Sequence, residues 1–538
     1  MSRAAVAPAG HVALPEGGMA WTALSRRLAA AAAARPWWPL PVIISFQAAV
    51  ALLTLHNTAF QDEGLYLNAG RQILRSWTGG PPPLENYAFY FSGYPYFYPV
   101  IGGLLDKLGG LELARALSTL CMMAVTVTAY LSTRRLFAGP AAVFAAAAYA
   151  GLGAGLFVSR LATYDALSLL LLAVATGVAL RAGASRRPWL ALAIGPLLLL
   201  AVVAKYAAML WAPPILALLV VVGISFQGWR QAGSRLGLAL SSLAVSLALF
   251  YHFMDKSALH AIVGSTTNRV PIIEQPRLEM IGHVLYMGGV VYAAALLGVV
   301  LVFRHHPQLR PTALVLFGAS WLAPMYHVYT QEAVSLDKHM AFTLFFAMPL
   351  AGYALWWLGE GMRRSIAGAA RSQGLAGIAV VVIIFTLGLQ QSRALYAGWP
   401  NTAQLSYVLH TQMRDGSGRY LVEDIEVIRY DCRNITQPWQ WNGVTYFYYL
   451  DRQHQALYGN PALAQAIKDD YFALVELSFI YHPAQAQFIA QQMAATRNYD
   501  LLTRVRSHDS YGSAYYYIWR QAAVPGHGNY TSVSQSPP

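Results

Sequence analysis

PLPVIISFQAAVALLTLHNTAFQDEGLYLNAGRQILRSW, residues 39 to 77, sets an uncharged apolar run against an acidic pair and then a stretch of mixed polarity. From Asp62 onward the polar set Asn68, Arg71, Gln72, Arg75 and the apolar set Tyr66, Ala69, Ile73, Trp77 each recur at helical spacing, on opposite faces. The stretch predicts a membrane span over 39 to 60 followed by a helix lying along the membrane surface. Asp62 then stands in the first turn of that helix and is open to two readings. It is either a helix cap, contributing about 1 kcal/mol, or a reactive carboxylate.

Composition extends the membrane reading to the whole chain. Apolar residues make up 56% and charged residues 11% of 538, against roughly 25% charged in a soluble domain. Ten further apolar runs follow, near 112 to 133, 141 to 158, 166 to 180, 189 to 204, 206 to 222, 236 to 254, 282 to 303, 312 to 328, 339 to 358 and 375 to 391. The expectation is a mainly α, polytopic helical membrane protein of about eleven spans. With the N-terminus inside, Arg134/Arg135, Arg181/Arg186/Arg187, Arg230/Arg235, Arg304/Arg310 and Arg363/Arg364/Arg371 all collect in cytoplasmic connections. The net charge of +13 is thereby explained by orientation and does not argue for nucleic acid. Cys121 and Cys432 are too differently placed to suggest a disulfide.

Four regions result: a cytoplasmic segment 1–35, a transmembrane domain 36–391 whose first outer loop is 59–111, an extracytoplasmic α/β domain 392–523, and a disordered tail 524–538. In the third, Tyr420–Val422, Phe472–Val475, Tyr499–Val505 and Tyr511–Trp519 read as strands, the last two joined as a hairpin, with helices near 402–414, 461–469 and 484–497.

Ionisable groups in the apolar region gather at the outer ends of the runs. His56, His252 and His327 read as interfacial residues reaching headgroups. Asp165 opens an apolar helix and is either a second cap or a second site carboxylate. Asp62 and Asp165 together would give a general base with an orienting partner, or ligands for a divalent cation, Mg or Mn. Lys205 interrupts an apolar run and needs an anion or a route to water, which a lipid phosphate or snorkelling would supply. Arg160 and Lys338 have the same potential.

Four short motifs in order carry a resemblance. They are Asp62-Glu63 after the first run, Gly93-Tyr-Pro-Tyr-Phe-Tyr-Pro99 leading to Ala114-Arg115, Thr163-Tyr164-Asp165-Ala166-Leu167, and Ala204-Lys205-Tyr206. The chain resembles bacterial members of the GT-C glycosyltransferase superfamily, in the branch of the protein O-mannosyltransferases, the aminoarabinose transferases of lipid A and the Rgt-type lipopolysaccharide transferases. The resemblance implies a cell-membrane enzyme that moves a monosaccharide from a polyprenyl-phosphate donor to a hydroxyl of a lipopolysaccharide or other glycolipid, a polysaccharide or a protein acceptor, outside the bacterial inner membrane. It implies Asp62 as base or metal contact, Asp165 as a second acid and Lys205 near the donor phosphate; Arg160 and Lys338 are expected from their own placement to assist Lys205 there. Lys338-His339 stands where such proteins often have Arg-Tyr. Glu63, Tyr66, Tyr94, Tyr96 and His339 are expected to wall the site, although an interfacial aromatic belt would use the same tyrosines. The competing class is a lipid or solute transporter, which would tend to carry charge near the midplane in paired halves.

Overall fold

In a computed structural model the described residues are 38–89, 91–137, 139–254, 256, 262–264, 273–365, 375–413, 418–509 and 512–522, side chains of 360–365 excepted. The expected N-terminal segment 1–35 and the tail 524–538 lie outside them.

Every apolar run folds as helix. In chain order these are α1 Pro39–Thr54, the surface helix α2 Gln61–Trp77, α3 Tyr98–Leu136, α4 Gly139–Ala150, α5 Gly153–Ser159, α6 Tyr164–Ala184, α7 Ile194–Ala204, α8 Ala212–Gln227, α9 Trp229–Phe253, α10 Arg277–His305, α11 Arg310–Ala319, α12 Leu322–Thr330, α13 Leu336–Ser365 and α14 Leu375–Tyr396. By length and composition seven helices can cross a membrane, and α4 with α5, bent by 64°, makes an eighth. Pro39–Thr54 and Pro188–Ala204 are apolar but shorter. The expectation of eleven crossings is therefore not carried by helix length. Breaks explain the difference: α11 and α12 share one apolar run, and that run is interrupted at Ser320 and Trp321.

The first loop supplies two stacked surface helices. α3 breaks at Gly109 and Gly110, the latter at φ 71°, a left-handed value that glycine adopts without Cβ strain. The segment before the break lies against α2 so closely that a Cβ on Gly70 would fall 1.8 Å from the Pro99 carbonyl oxygen.

Residues beyond α14 form the α/β domain. A five-stranded sheet has the order β2-β1-β5-β7-β6, with β1 Tyr420–Val422, β2 Trp441–Gly443, β5 Leu474–Leu477, β6 Tyr499–Asp509 and β7 Gly512–Gln521; β3 Tyr448–Leu450 and β4 Ala456–Tyr458 pair separately. The first three strands of the sheet are parallel to one another, and β7 and β6 are antiparallel. Helices α15 Ala403–Gln412, α16 Ile425–Asp431, α17 Gly459–Lys468 and α18 Pro483–Thr496 cover the sheet. Alternation along the strands sends Leu421, Val475 and Leu477 into a core with α17 and α18, and Tyr420, Val422 and Leu474 into a core with α15 and α16. Both cysteines are buried and free.

Candidate active site

Asp62 does not cap α2; its neighbour does. Phe60 at the N-cap has no side-chain oxygen, and Glu63 reaches back to accept the Phe60 N–H at 2.8 Å, the second half of a capping box. The same carboxylate takes the Arg115 guanidinium at 2.7 and 2.8 Å and the Ala162 N–H at 2.6 Å. Arg115 donates on to the carbonyls of Asn57 and Thr58. Glu63 was expected to wall the site; fully buried and saturated by donors, it is instead a clasp between the loop, α2 and α3.

Asp62, freed from capping, accepts a very short hydrogen bond from Lys338 Nζ, in the first turn of α13. Its side chain remains 30% exposed, that of Lys338 only 7%. The ammonium also sits 5.1 Å from the centre of the Phe60 ring.

The second pair forms at a backbone break. α7 ends where Lys205 turns extended, at φ −148° and ψ 119°. Two hydrogen bonds hold the break to the aromatic loop, Tyr94 N–H to the Val203 carbonyl at 2.8 Å and Tyr206 N–H to the Ser92 carbonyl at 2.7 Å. Gly93 lies between them, where a Cβ would come within 2.1 Å of the Ala204 oxygen. Lys205 Nζ thereby reaches Asp165 Oδ1 at 2.5 Å, while Thr163 donates to Oδ2 at 2.9 Å. Asp165 was expected to act on substrate or metal. It is fully buried, with both oxygens engaged, and its geometry is that of the counter-ion that holds Lys205.

The pairs are neighbours. Lys338 interacts electrostatically with both Asp62 and Asp165, and Lys205 with both in turn. Tyr66 and Tyr164 lie between them, their hydroxyls 2.6 Å apart and their rings stacked at 4.5 Å, with Lys205 5.3 Å from the Tyr164 ring centre. Tyr164 is the residue that reading the sequence left out of the site; its place beside Asp165 in a helix-opening motif was the available signal. Tyr96 is 39% exposed, its ring stacked on Trp77 and packed against Tyr94, which also contacts Phe250. These rings form an open aromatic wall.

Two expected members lie elsewhere. Arg160 donates to Glu112 at 2.6 Å, in the network of Arg115 and Glu63, so its charge is committed away from the lysines. His339 faces His327, at 2.7 Å between ring nitrogens, one helical step round from Lys338.

Two carboxylates matched by two ammonium groups are charge-balanced, and a cation held by Asp62 and Asp165 would have to displace both lysines. Among the described residues no three His, Cys, Asp or Glu side chains converge.

The comparisons agree with this architecture. Residues 100–252 match the family model of the dolichyl-phosphate-mannose-protein mannosyltransferases, a segment that contains Asp165 and Lys205. No curated protein matches the chain. Among solved structures, ArnT from Cupriavidus metallidurans in the apo state superposes with a TM-score of 0.61 at 15% identity over 90% of this chain and 98% of that one. The same protein bound to undecaprenyl phosphate gives 0.58 at 13% over 88% and 97%. The archaeal oligosaccharyltransferase AglB from Archaeoglobus fulgidus, in complex with an inhibitory peptide and a dolichol-phosphate, gives 0.52 at 12% over 90% and 74%. The chain is therefore similar in fold to ArnT and AglB, residues 100–252 are similar to the dolichyl-phosphate-mannose-protein mannosyltransferases, and its long apolar helices are those of a polytopic membrane protein.

Proposed function

We propose that the chain is an inverting glycosyltransferase that moves a monosaccharide from a polyprenyl-phosphate carrier to a hydroxyl of a cell-envelope acceptor. We place it in a bacterial inner membrane, with the N-terminus cytoplasmic and the C-terminal domain outside. The observation that carries the reading is the convergence of Asp62–Lys338 with Asp165–Lys205 at one end of the bundle, beside an open aromatic wall. The undecaprenyl phosphate and dolichol-phosphate bound to the two superposed proteins support a lipid phosphate as the donor's carrier. Transport is not favoured, because the charge is concentrated at one end instead of the midplane.

In this reaction Asp62 takes the proton of the acceptor hydroxyl as that oxygen attacks the anomeric carbon. The bond from that carbon to the phosphate oxygen breaks with its electron pair on phosphate, so a singly charged diester becomes a doubly charged monoester. A glycosidase must protonate an alkoxide leaving group with a second acid; here charge compensation suffices. Lys338 exchanges Asp62 for phosphate oxygen, which releases the carboxylate as base, and Lys205, aimed by Asp165, adds the second positive charge. No metal is required. The acceptor is a lipopolysaccharide or other glycolipid, a polysaccharide or a protein.

The test is release of undecaprenyl phosphate from a panel of labelled undecaprenyl-phosphate sugars by purified protein in vesicles. Asp62→Asn should lower the rate by roughly 10²- to 10⁴-fold, far beyond any fall in the folded fraction, and chelation should leave the rate unchanged. Full activity in Asp62→Asn would sink the proposal.

A further inference from the structure

At the far end of the bundle α3 and α6 diverge around a groove of about 530 Å³. Its mouth carries Arg134, Arg135 and Arg181, and its walls are largely apolar. Arg181 lies sixteen residues along α6 from Asp165, about 24 Å at the helical rise, so the groove is remote from the lysine pairs. Among the described residues none of these three guanidinium groups has an acidic partner within ion-pairing distance. Each is solvent-exposed. The positive-inside rule accounts for arginines at this end of the helices, but not for a cavity beneath them.

Two features make it one. Gly177 faces α3 with Thr128 Cγ2 3.5 Å and Ser132 Oγ 3.9 Å from where a Cβ would stand; the missing side chain is the groove's space. Ser132 lines it too, and its hydroxyl is buried without a hydrogen-bond partner, a state that costs roughly 1–3 kcal/mol unless a ligand relieves it. Leu131 on the same wall is 54% exposed, so the groove opens sideways on the surface that meets acyl chains. It runs from Thr128 to Arg135, about 10 Å along α3, the depth of a headgroup and the first carbons of its chains.

We propose that this groove binds an anionic diacyl phospholipid, its phosphodiester held by the three arginines, an ester or glycerol oxygen received by Ser132, and one acyl chain laid over Gly177. Clusters of basic side chains at cytoplasmic helix ends attract anionic headgroups by about fivefold in affinity per residue. Here three of them surround a shaped apolar slot. The site is separate from the proposed carrier-phosphate site, and its occupancy does not depend on the proposed transfer activity.

The test is native mass spectrometry of the full chain in detergent, titrated with phosphatidylglycerol and, separately, phosphatidylcholine of the same chains. The wild type should retain phosphatidylglycerol at least tenfold more strongly. Arg134→Gln/Arg135→Gln/Arg181→Gln should abolish that preference, and Gly177→Leu, which keeps every charge, should lower retention severalfold. At Gly177 a Cβ meets only side chains, at ordinary contact distance, and no backbone, so folding of Gly177→Leu is retained, as an unchanged melting temperature would verify. Equal retention of the two lipids by the wild type would overturn the proposal. So would an undiminished preference in the triple variant, or unchanged retention in a folded Gly177→Leu. Displacement of the lipid by millimolar inorganic phosphate would assign the arginines to free phosphate and overturn the lipid.

Discussion

At the scale of single residues, adjacent acids divide the work. Glu63 is consumed by Arg115 and by backbone N–H groups, and this leaves Asp62 one strong partner and an exposed edge. Glu63→Gln should therefore destabilise the protein by about 3–5 kcal/mol, because it strands a buried guanidinium, with activity falling only as the folded fraction falls. Thermal unfolding in detergent beside transfer rates distinguishes this from Asp62→Asn, which should lower the rate far more than any loss of folded protein explains. The Asp165–Lys205 pair makes a sharper prediction. Lys205→Met leaves a fully buried carboxylate uncompensated, at about 3–5 kcal/mol, whereas Asp165→Leu with Lys205→Met removes both charges and should recover most of the loss. Transfer should stay abolished in both, since the pair's purpose is to hold an ammonium. A double variant as unstable as Lys205→Met would show that the pairing is not what stabilises this region.

Among elements, the site depends on a close approach of backbone that side-chain reading does not reveal. The loop at Ser92–Tyr94 hydrogen-bonds across the α7 break and aims Lys205. Gly93→Ala pushes a methyl into the Ala204 carbonyl, backbone against backbone, and should cost about 1–3 kcal/mol while reducing transfer more than Tyr94→Ala does; a smaller effect than Tyr94→Ala would remove the loop from the site's support. This contrast also marks what was legible in the sequence. Apolar runs located every apolar helix, and one end of those helices collected Asp62, Asp165, Lys205 and Lys338, because a charge in hydrocarbon has few places to go. Partner choice was not legible. Lys338 lies 276 residues from Asp62, and nothing local distinguishes it from Arg160, which went to Glu112. The three-residue strands β2, β3 and β4 and the short helix α16 also escaped, being too brief to display a period.

For the whole molecule, the C-terminal domain is clamped onto the helix that carries Asp62. Asp106, before the α3 break, accepts Arg71 at 3.0 Å, Tyr430 at 2.6 Å and Arg433 at 3.1 Å, and Arg429 reaches Glu85 at 2.5 Å. A Cβ on Gly64 would meet the Glu426 carbonyl at 2.6 Å, so α16 rests directly on α2. At the N-terminus of α16, burial and the neighbouring acids Glu426, Asp431 and Glu423 push Asp424 up to about 8. Burial and the Glu423 and Asp424 charges also raise Glu476 well above the usual carboxylate range. Unfolded, Asp424 ionises near 4. Between these values the folded state holds a proton that the unfolded state has lost, so stability is full below about pH 4, falls as pH rises, and has lost its Asp424 share above about pH 8. Asp424→Asn keeps the shape and removes the ionisation. It should flatten the pH dependence of the melting temperature across that window and, above pH 8, make the variant more stable than the wild type by on the order of a few kcal/mol. Because α16 bears on α2, the same variant should hold its transfer activity further into the alkaline range. Parallel melting profiles for the two proteins across that window would place the proton elsewhere, with Glu476→Gln the next variant to measure.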